Sequence, residues 1–210
     1  IRTVVSSRTF VEKAGLADVV QAVEEAGAKL VWLEDLRERT GAPEKIAAAL
    51  LWRFPLNRQG PDKPAVVLLT SGSEGTPKAV VLSSRSLISN VMQVEARIAF
   101  SQADRLLNVL PVFHSFGLTG GTVLPLVSGV PLFLYPSPLH YKIIPEIARR
   151  VRPTVMFGTD TFLAAYARTA KDEDFSSLRF VVAGAEPVKA ETRTVWRERF
   201  GAAIIEGFGM

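Results

Sequence analysis
The stretch LLTSGSEGTPKAV, Leu68 to Val80, passes from an apolar run into a turn holding Thr70, Ser71, Gly72, Ser73, Gly75 and Thr76, then reaches Pro77 and Lys78. Hydroxyls and unobstructed amides gathered this closely make a concave anion site, because successive backbone N–H groups in a turn converge on one point. Lys78 adds a cation of the kind that meets phosphate as a point charge. A polyphosphate is the guest this chemistry suits. The pattern G-x-x-x-x-G-K-[ST] is not met, since Pro77 stands where glycine should precede the lysine and an apolar strand follows instead of a helix. That argues against a kinase or GTPase class. Glu74 runs against the trend, for a carboxylate beside phosphates repels them unless it turns away or helps hold a cation. A plain hairpin loop is the competing reading, as Gly and Ser are common in turns. It gives no reason for four hydroxyls, a proline and a lysine together.

Further along, three short apolar runs end in glycine, at Gly158, Gly184 and Gly207, each followed by small or polar residues. In an open parallel sheet ligands bind outside the carboxyl ends of the strands, and glycine there lets a ligand approach the backbone. His114 follows a strand-like run ending near Pro111. A lone histidine among apolar residues is commonly part of the core, yet the end of a strand is where a ligand-facing imidazole belongs. Asp160, between a strand end and a helix start, suits a helix cap better than a catalytic acid. Lys189, Arg193 and Arg197 fall four apart on one helix face, which is either solvated or meets an acidic partner.

Bringing these groups together requires strands whose ends coincide. KLVWL has the character of a strand after a helix near Leu16 to Ala26, and PEKIAAALLWRF that of a helix opened by Pro43. NRQGPDKP, Asn57 to Pro64, is polar and rich in breakers, and marks an internal joint at 57–64. AVVLLT and AVVLS flank the anion turn as two strands, and Ser83 or Ser84 caps a helix whose Leu87, Ile88, Val91 and Val94 share one buried face. RLLNVLP, VPLFLY, TVMFG, FVVAG and AIIEG are apolar runs rich in branched residues, each parted from the next by a helix-like segment. That alternation predicts an α/β fold, a mostly parallel sheet with crossover helices. Val112 to Tyr135 is apolar and long enough to match a membrane span, but Pro125, Pro131 and its glycines break it, so a buried helix followed by a buried strand is expected.

With 210 residues, 48% apolar and 22% charged, the chain has enough for a real core in one large or two small domains. Its 25 basic and 21 acidic residues leave a net charge of +4, which favours an anionic ligand mildly and is too diffuse to argue for nucleic acid. The absence of cysteine excludes disulfides and thiolate metal sites, and two lone histidines do not make a histidine cage. An intracellular protein is expected. Ile1 lies inside a strand-like run and Met210 directly follows IIEGFG, so a fragment of a longer protein is expected as well.

LLTSGSEGTPKAVVLS resembles the phosphate loop of the adenylate-forming superfamily, which includes acyl-CoA synthetases, luciferases and peptide-synthetase adenylation domains. LPVFHSFGL from Leu110, VVAGAEPV and the terminal EGFGM follow in that superfamily's order, so the resemblance covers nearly the whole chain. A narrower likeness, carried by FHSFGLTGGTVLPLVSGVPLFLYPSPLHY and FGTDTFLAAYAR, is to the acyl-[acyl-carrier-protein] synthetase part of bifunctional 2-acylglycerophosphoethanolamine acyltransferases.

The resemblance implies a partial AMP-binding (adenylation) domain over residues 1–210, an incomplete N-terminal domain without its remainder or its carboxy-terminal lid. It implies activation of a fatty acid by ATP and Mg²⁺ to an acyl-adenylate, then thioester formation on acyl carrier protein or CoA. Thr70 to Lys78 would grip the β- and γ-phosphates, and His114 would lie beside the acyl carboxylate. Gly184, Ala185 and Glu186 match the segment bordering adenine. Gly207, Phe208 and Gly209 match the motif whose ring stacks on the base, with Phe208 where tyrosine is frequent. Val112 to Leu126 and MFGTDTF would build the acyl pocket. The Thr and Glu that normally follow, the later ribose-holding aspartate and the lid lysine are absent, so little turnover is expected of this piece alone. The parent would face the cytoplasm and associate with a membrane through a part not present here. Two other readings compete: a non-catalytic nucleotide-binding or interaction module, and a phosphotransferase, which Pro77 disfavours.

Overall fold
The computed structural model describes residues 1–54, 59–70 and 76–207, and the chain divides into two compact units, Ile1–Arg58 and Gln59–Met210. In the first unit β1 (Thr3–Ser6) and β2 (Lys29–Trp32) pair in parallel, with Val4 opposite Leu30 and Val5 opposite Val31. The crossover between them is α1 (Arg8–Ala14) and α2 (Ala17–Glu25), and α3 (Leu33–Arg39) and α4 (Ala42–Leu51) follow. Ser7 caps α1 by accepting the Phe10 N–H at 3.3 Å, and its own hydroxyl donates to Glu34 at 2.6 Å, tying α1 to α3. None of the described residues of this unit is buried.

The second unit opens with an antiparallel hairpin, β3 (Pro64–Thr70) and β4 (Lys78–Ser83), in which Leu68 faces Val80 and Thr70 faces Lys78. Ser83 ends β4 and caps α5 (Ser84–Glu95), its Oγ accepting the Ser86 N–H at 3.1 Å. Then come β5 (Leu106–Asn108), α6 (Ser115–Leu118), a π turn (Thr119–Val123), α7 (Leu124–Ser128) and β6 (Leu132–Leu134). The chain continues through α8 (Ile143–Val151), β7 (Val155–Gly158), α9 (Asp160–Thr169), β8 (Phe180–Ala183), α10 (Ala190–Phe200) and β9 (Ala203–Glu206). Strands β5 to β9 form one parallel sheet in the order β6-β5-β7-β8-β9, the α/β architecture expected of these alternating runs.

Alternate residues of these strands build two cores, as the two-residue period of a strand dictates. Met156, Val181, Ala183 and Ile204 pack with Ile144, Leu163, Tyr166, Trp196 and Phe200 from α8, α9 and α10. On the other face Val155, Phe157, Phe180 and Val182 pack with Val91 of α5 and Leu124 of α7. With both faces covered, the strands need apolar residues throughout, which is why their sequences show no polar alternation.

The chain leaves β5 toward β6 and returns past it to β7, so the strand order reverses between β5 and β7, and the covering helices change face there. Such a reversal opens a crevice at the carboxyl ends of the strands.

At the opposite end a buried carboxylate holds the strands together. Asp104 accepts hydrogen bonds from the Ser101 N–H at 2.8 Å, the Thr154 hydroxyl at 2.6 Å and the Arg179 guanidinium at 2.6 Å. Thr154 and Arg179 immediately precede β7 and β8, so one side chain clips the starts of three strands.

The apolar stretch from Val112 to Tyr135 departs from expectation. Its helix is broken into α6, the π turn and α7, and among the described residues β6 is an edge strand pairing only with β5, which leaves Phe133 and Leu134 exposed. The strand is therefore not buried. Amide exchange should be slowest in β7 and β8, whose residues are all buried, and fast throughout the first unit. Hydrogen exchange read by mass spectrometry checks this, and equal protection in β1 and β2 would contradict it.

Candidate functional site
Three strands finish side by side at the crevice: β7 ends in Gly158, β8 runs into Gly184 and β9 into Gly207. Their tips are laced in series, the Gly184 N–H donating to the Gly158 carbonyl at 3.2 Å and the Gly207 N–H to the Ala183 carbonyl at 2.7 Å. A Cβ on Gly184 would lie 3.0 Å from the Gly207 carbonyl oxygen and 3.1 Å from the Phe116 ring. Glycine is what allows that ring to lie against the tip of β8. The next residue, Ala185, has φ +70°, a left-handed conformation rare for a residue with a side chain. Strain of this kind persists where a backbone must be presented in one orientation.

Beside these tips lies a cavity of about 430 Å³. Asn90, Val91, Val94 and Ile98, from α5 and the turn after it, form one wall. Ser115, Phe116, Thr119, Gly120 and Leu124 form a second, and Phe157, Val182, Gly184, Ala185 and Gly207 close it along the sheet. Phe116 meets Phe157 edge to face, with centroids 5.3 Å apart. Gly120 is flush with Phe157, since a Cβ there would stand 2.9 Å from the ring. The result is an apolar well opening on a rim of bare backbone, a shape that takes an apolar tail below and a polar head above. Of the tip glycines Gly207 leaves room for a ligand to approach its backbone, whereas the space beside Gly158 and Gly184 is taken by Leu163 and Phe116.

His114 stands at the entrance to α6 in an extended conformation, exposed, with its ring 4.8 Å from that of Phe113. It is not among the residues lining the cavity, although the next two, Ser115 and Phe116, are. Glu186 turns away from the tips: its carboxylate accepts the Thr161 N–H at 2.7 Å and the Thr161 hydroxyl at 3.0 Å. The Thr161 amide holds it below the usual glutamate range, against the opposing effect of burial, with the Thr159 and Thr161 hydroxyls and Lys189 assisting. Only the backbone of Glu186 is left for a ligand at the rim.

Thr70, Thr76 and Lys78 gather at the open end of the hairpin, where the Thr70 hydroxyl donates to the Lys78 carbonyl at 3.4 Å. Ser71, Gly72, Ser73 and Gly75 lie outside the described residues, as do Phe208 and Gly209. Among the described residues no group of three or more His, Cys, Asp or Glu side chains could hold a metal ion.

Other expectations resolve differently. Val112 and Leu126 are exposed and do not line the cavity, so the pocket uses a narrower part of that segment than the sequence suggests. Thr159, not Asp160, caps α9, accepting the Phe162 N–H at 3.4 Å; Asp160 is buried and accepts the Lys189 N–H at 3.0 Å, joining α9 to the start of α10. Arg193 donates to the Ile204 carbonyl and to Glu206, so its charge is turned back onto β9 and does not extend a basic face with Lys189 and Arg197. The α5 wall was missed. Its signal was present in the spacing of residues 90, 94 and 98, but a face lining a cavity and a face filling a core carry the same helical period.

A family model described as AMP-binding enzyme matches residues 2–210. The chain is 30% identical over 199 residues to a sulfoacetate–CoA ligase of Cupriavidus necator, covering 93% of this chain and 38% of that ligase. It is also 30% identical over 151 residues to the medium-chain-fatty-acid–[acyl-carrier-protein] ligase TtuA of Teredinibacter turnerae, covering 68% of this chain and 23% of that one. The crystal structure of ATP-bound MatB from Rhodopseudomonas palustris superimposes with a TM-score of 0.72 at 26% identity, over 100% of this chain and 40% of that one. The chain thus spans well under half the length of the curated relatives it matches.

Proposed function
The chain belongs to the AMP-binding enzyme family, and from that premise we propose that its parent joins ATP to a carboxylic acid and passes the acyl group to a thiol. In this reaction a carboxylate oxygen attacks the α-phosphorus of ATP, the bond to the β-phosphate breaks, and pyrophosphate leaves. The thiol of acyl carrier protein or CoA then attacks the acyl carbon, the bond from that carbon to the AMP oxygen breaks, and AMP leaves as the thioester forms. The mixed anhydride is needed because a free carboxylate has no good leaving group. What the protein supplies is placement and charge stabilisation.

One observation carries the reading: the cavity joins an apolar well to the backbone at the ends of β8 and β9, where Gly184, Ala185 and Gly207 line it. The well suits a fatty acyl chain, which Val91, Val94, Ile98, Leu124 and Phe157 would surround. Gly184, Ala185, Gly207, Phe208, Gly209 and the backbone of Glu186 would border the adenosine. Thr70, Ser71, Gly72, Ser73, Gly75, Thr76 and Lys78 would hold the departing phosphates, with Mg²⁺ on the phosphate oxygens, and His114 would meet the carboxylate at the mouth of the well. Relatives that act on CoA or acyl carrier protein support either acceptor.

We assign residues 1–210 to part of an adenylation domain, with a joint at 57–64, a placing that the division into two compact units supports. The closer kinship, to the synthetase part of bifunctional 2-acylglycerophosphoethanolamine acyltransferases, rests on the segments from Phe113 to Tyr141 and from Phe157 to Arg168. On that kinship the parent would lie on the cytoplasmic side, held to a membrane by another part of the protein. Among the described residues no helix is long and apolar enough to cross one.

Fatty-acid-dependent exchange of labelled pyrophosphate into ATP by the intact parent tests the proposal. Absence of exchange with any carboxylate defeats it. In the same assay Lys78→Ala should raise the KM for ATP about tenfold or more, the cost of one charged hydrogen bond to phosphate. Because Lys78 is exposed, the melting temperature should stay unchanged.

A further inference from the structure
Asn108, the last residue of β5, is fully buried, and its side-chain amide is used on both sides. Oδ1 accepts the Leu110 N–H at 3.0 Å, and Nδ2 donates to the Gly117 carbonyl at 3.3 Å. A second donor reaches the same carbonyl from the π turn, the Thr122 hydroxyl at 2.9 Å. Gly117 and Gly121 permit this closeness: a Cβ on Gly117 would fall 2.2 Å from the Pro111 carbonyl oxygen, and one on Gly121 would fall 2.4 Å from the Asn108 amide. A π turn shifts the helical register by one residue and takes carbonyls out of the regular i to i+4 ladder. A buried carbonyl in that position needs donors from outside the ladder.

We propose that Asn108 and Thr122 are positioning residues: together they clamp the Gly117 carbonyl and thereby fix the segment His114 to Phe116, which presents the histidine and one wall of the cavity. The assignment rests on the carboxylate-activating role given to this site, and neither side chain is among those lining the cavity. The clamp joins the end of β5 to both sides of α6, so Phe116 is held against Gly184 and Phe157 and cannot shift as the well fills. Its loss alters the fit of the acid and leaves the nucleotide end alone.

The test uses Thr122→Val, which replaces the hydroxyl by a methyl group of the same size, with Thr122→Ser as the rescue and Asn108→Leu as a second variant lacking the donor. The full-length parent is assayed for pyrophosphate exchange. Thr122→Val is expected to raise the KM for the carboxylate about fivefold, the weight of one buried hydrogen bond, with the KM for ATP changed less than about twofold. Thr122→Ser should restore the parent value, and Asn108→Leu should raise the KM for the carboxylate at least as much as the valine variant. A second readout is independent of any activity. In the full-length parent the imidazole NMR signals of His114 and His140 are each identified by the peak lost in His114→Gln or His140→Gln and are read without substrate. Thr122→Val should move or broaden the His114 signal and leave that of His140, which is paired with Tyr135 at 2.7 Å, in place. An unmoved His114 signal in both variants overturns the clamp, as does a KM for ATP that rises together with that for the acid. If the parent activates no carboxylate at all, the proposed function fails while the His114 signal still decides whether the clamp holds this segment.

Discussion
Replacing Gly117 by alanine should destabilise the second unit by about 3 kcal/mol or more, the upper end of what overpacking costs. The reason lies in the neighbours: the new Cβ would stand 2.2 Å from the Pro111 oxygen, 2.8 Å from its carbonyl carbon and 3.0 Å from the Leu110 oxygen. All three atoms belong to the backbone, so no side chain can rotate aside, and α6 must move off the end of β5. For a unit of this size a loss of about 3 kcal/mol lowers the melting temperature by roughly 6–12 °C. Displacing α6 carries Phe116 away from Gly184, so pyrophosphate exchange by the parent should fall with stability. Gly60→Ala is the matched control, since a Cβ there meets nothing within 4 Å, and its effect should stay within about 0.5 kcal/mol. Equal melting temperatures for the two variants would refute the packing argument.

Asp104→Asn should be the second large loss, at about 2–3 kcal/mol. Breaking a fully buried ion pair costs about 3–5 kcal/mol, but Arg179 is half exposed and water screens its share. The dependence on pH identifies the cause. Burial pushes the Asp104 carboxyl up, while hydrogen bonds from Thr154, Arg179 and the Ser101 N–H push it further down, leaving it below its ordinary value. Between the two values the unfolded chain binds more protons than the folded one, so stability rises with pH there. The contribution is complete above the ordinary carboxyl value of about 3.9 and is lost as the pH falls through the depressed folded value. Urea denaturation from pH 7 downward should show the gap between the native protein and Asp104→Asn closing on acidification. A gap independent of pH would remove the carboxylate as its source.

The central strands β5, β7 and β8 are legible in the sequence because each is buried on both faces, and the flanking β6 and β9 are legible from their apolar runs although they lie largely exposed at the edges. The glycines at their ends are legible as places of close approach, but what approaches Gly158 and Gly184 is the side chain of Leu163 and the ring of Phe116, which the local sequence does not name. The Asp104 clip is not legible. Its partners Thr154 and Arg179 stand 50 and 75 residues away, and nothing local marks an aspartate before a strand as buried. The turn of Glu186 toward α9 is equally hidden, because its partner Thr161 comes from the preceding crossover and meets it only once β7 and β8 lie side by side. The broken helix is half legible: Gly120 and Gly121 signal a close approach, but which neighbours approach depends on the reversal of strand order. Local pattern, in short, reports what each segment buries and says little about which distant segment it meets.

The clip around Asp104 grips the strands where they begin, whereas the opening lies where they finish, a full strand length away. Anchorage and working surface therefore draw on separate sets of residues. Libraries that randomise the partly buried Val94, Ile98 or Thr119 to accommodate a different guest would leave the fastening intact, and such a scaffold tolerates many tailored variants before it fails to fold. Strengthening the fastening first, by tightening the link between Asp104 and Arg179, would widen the range of guests open to directed evolution.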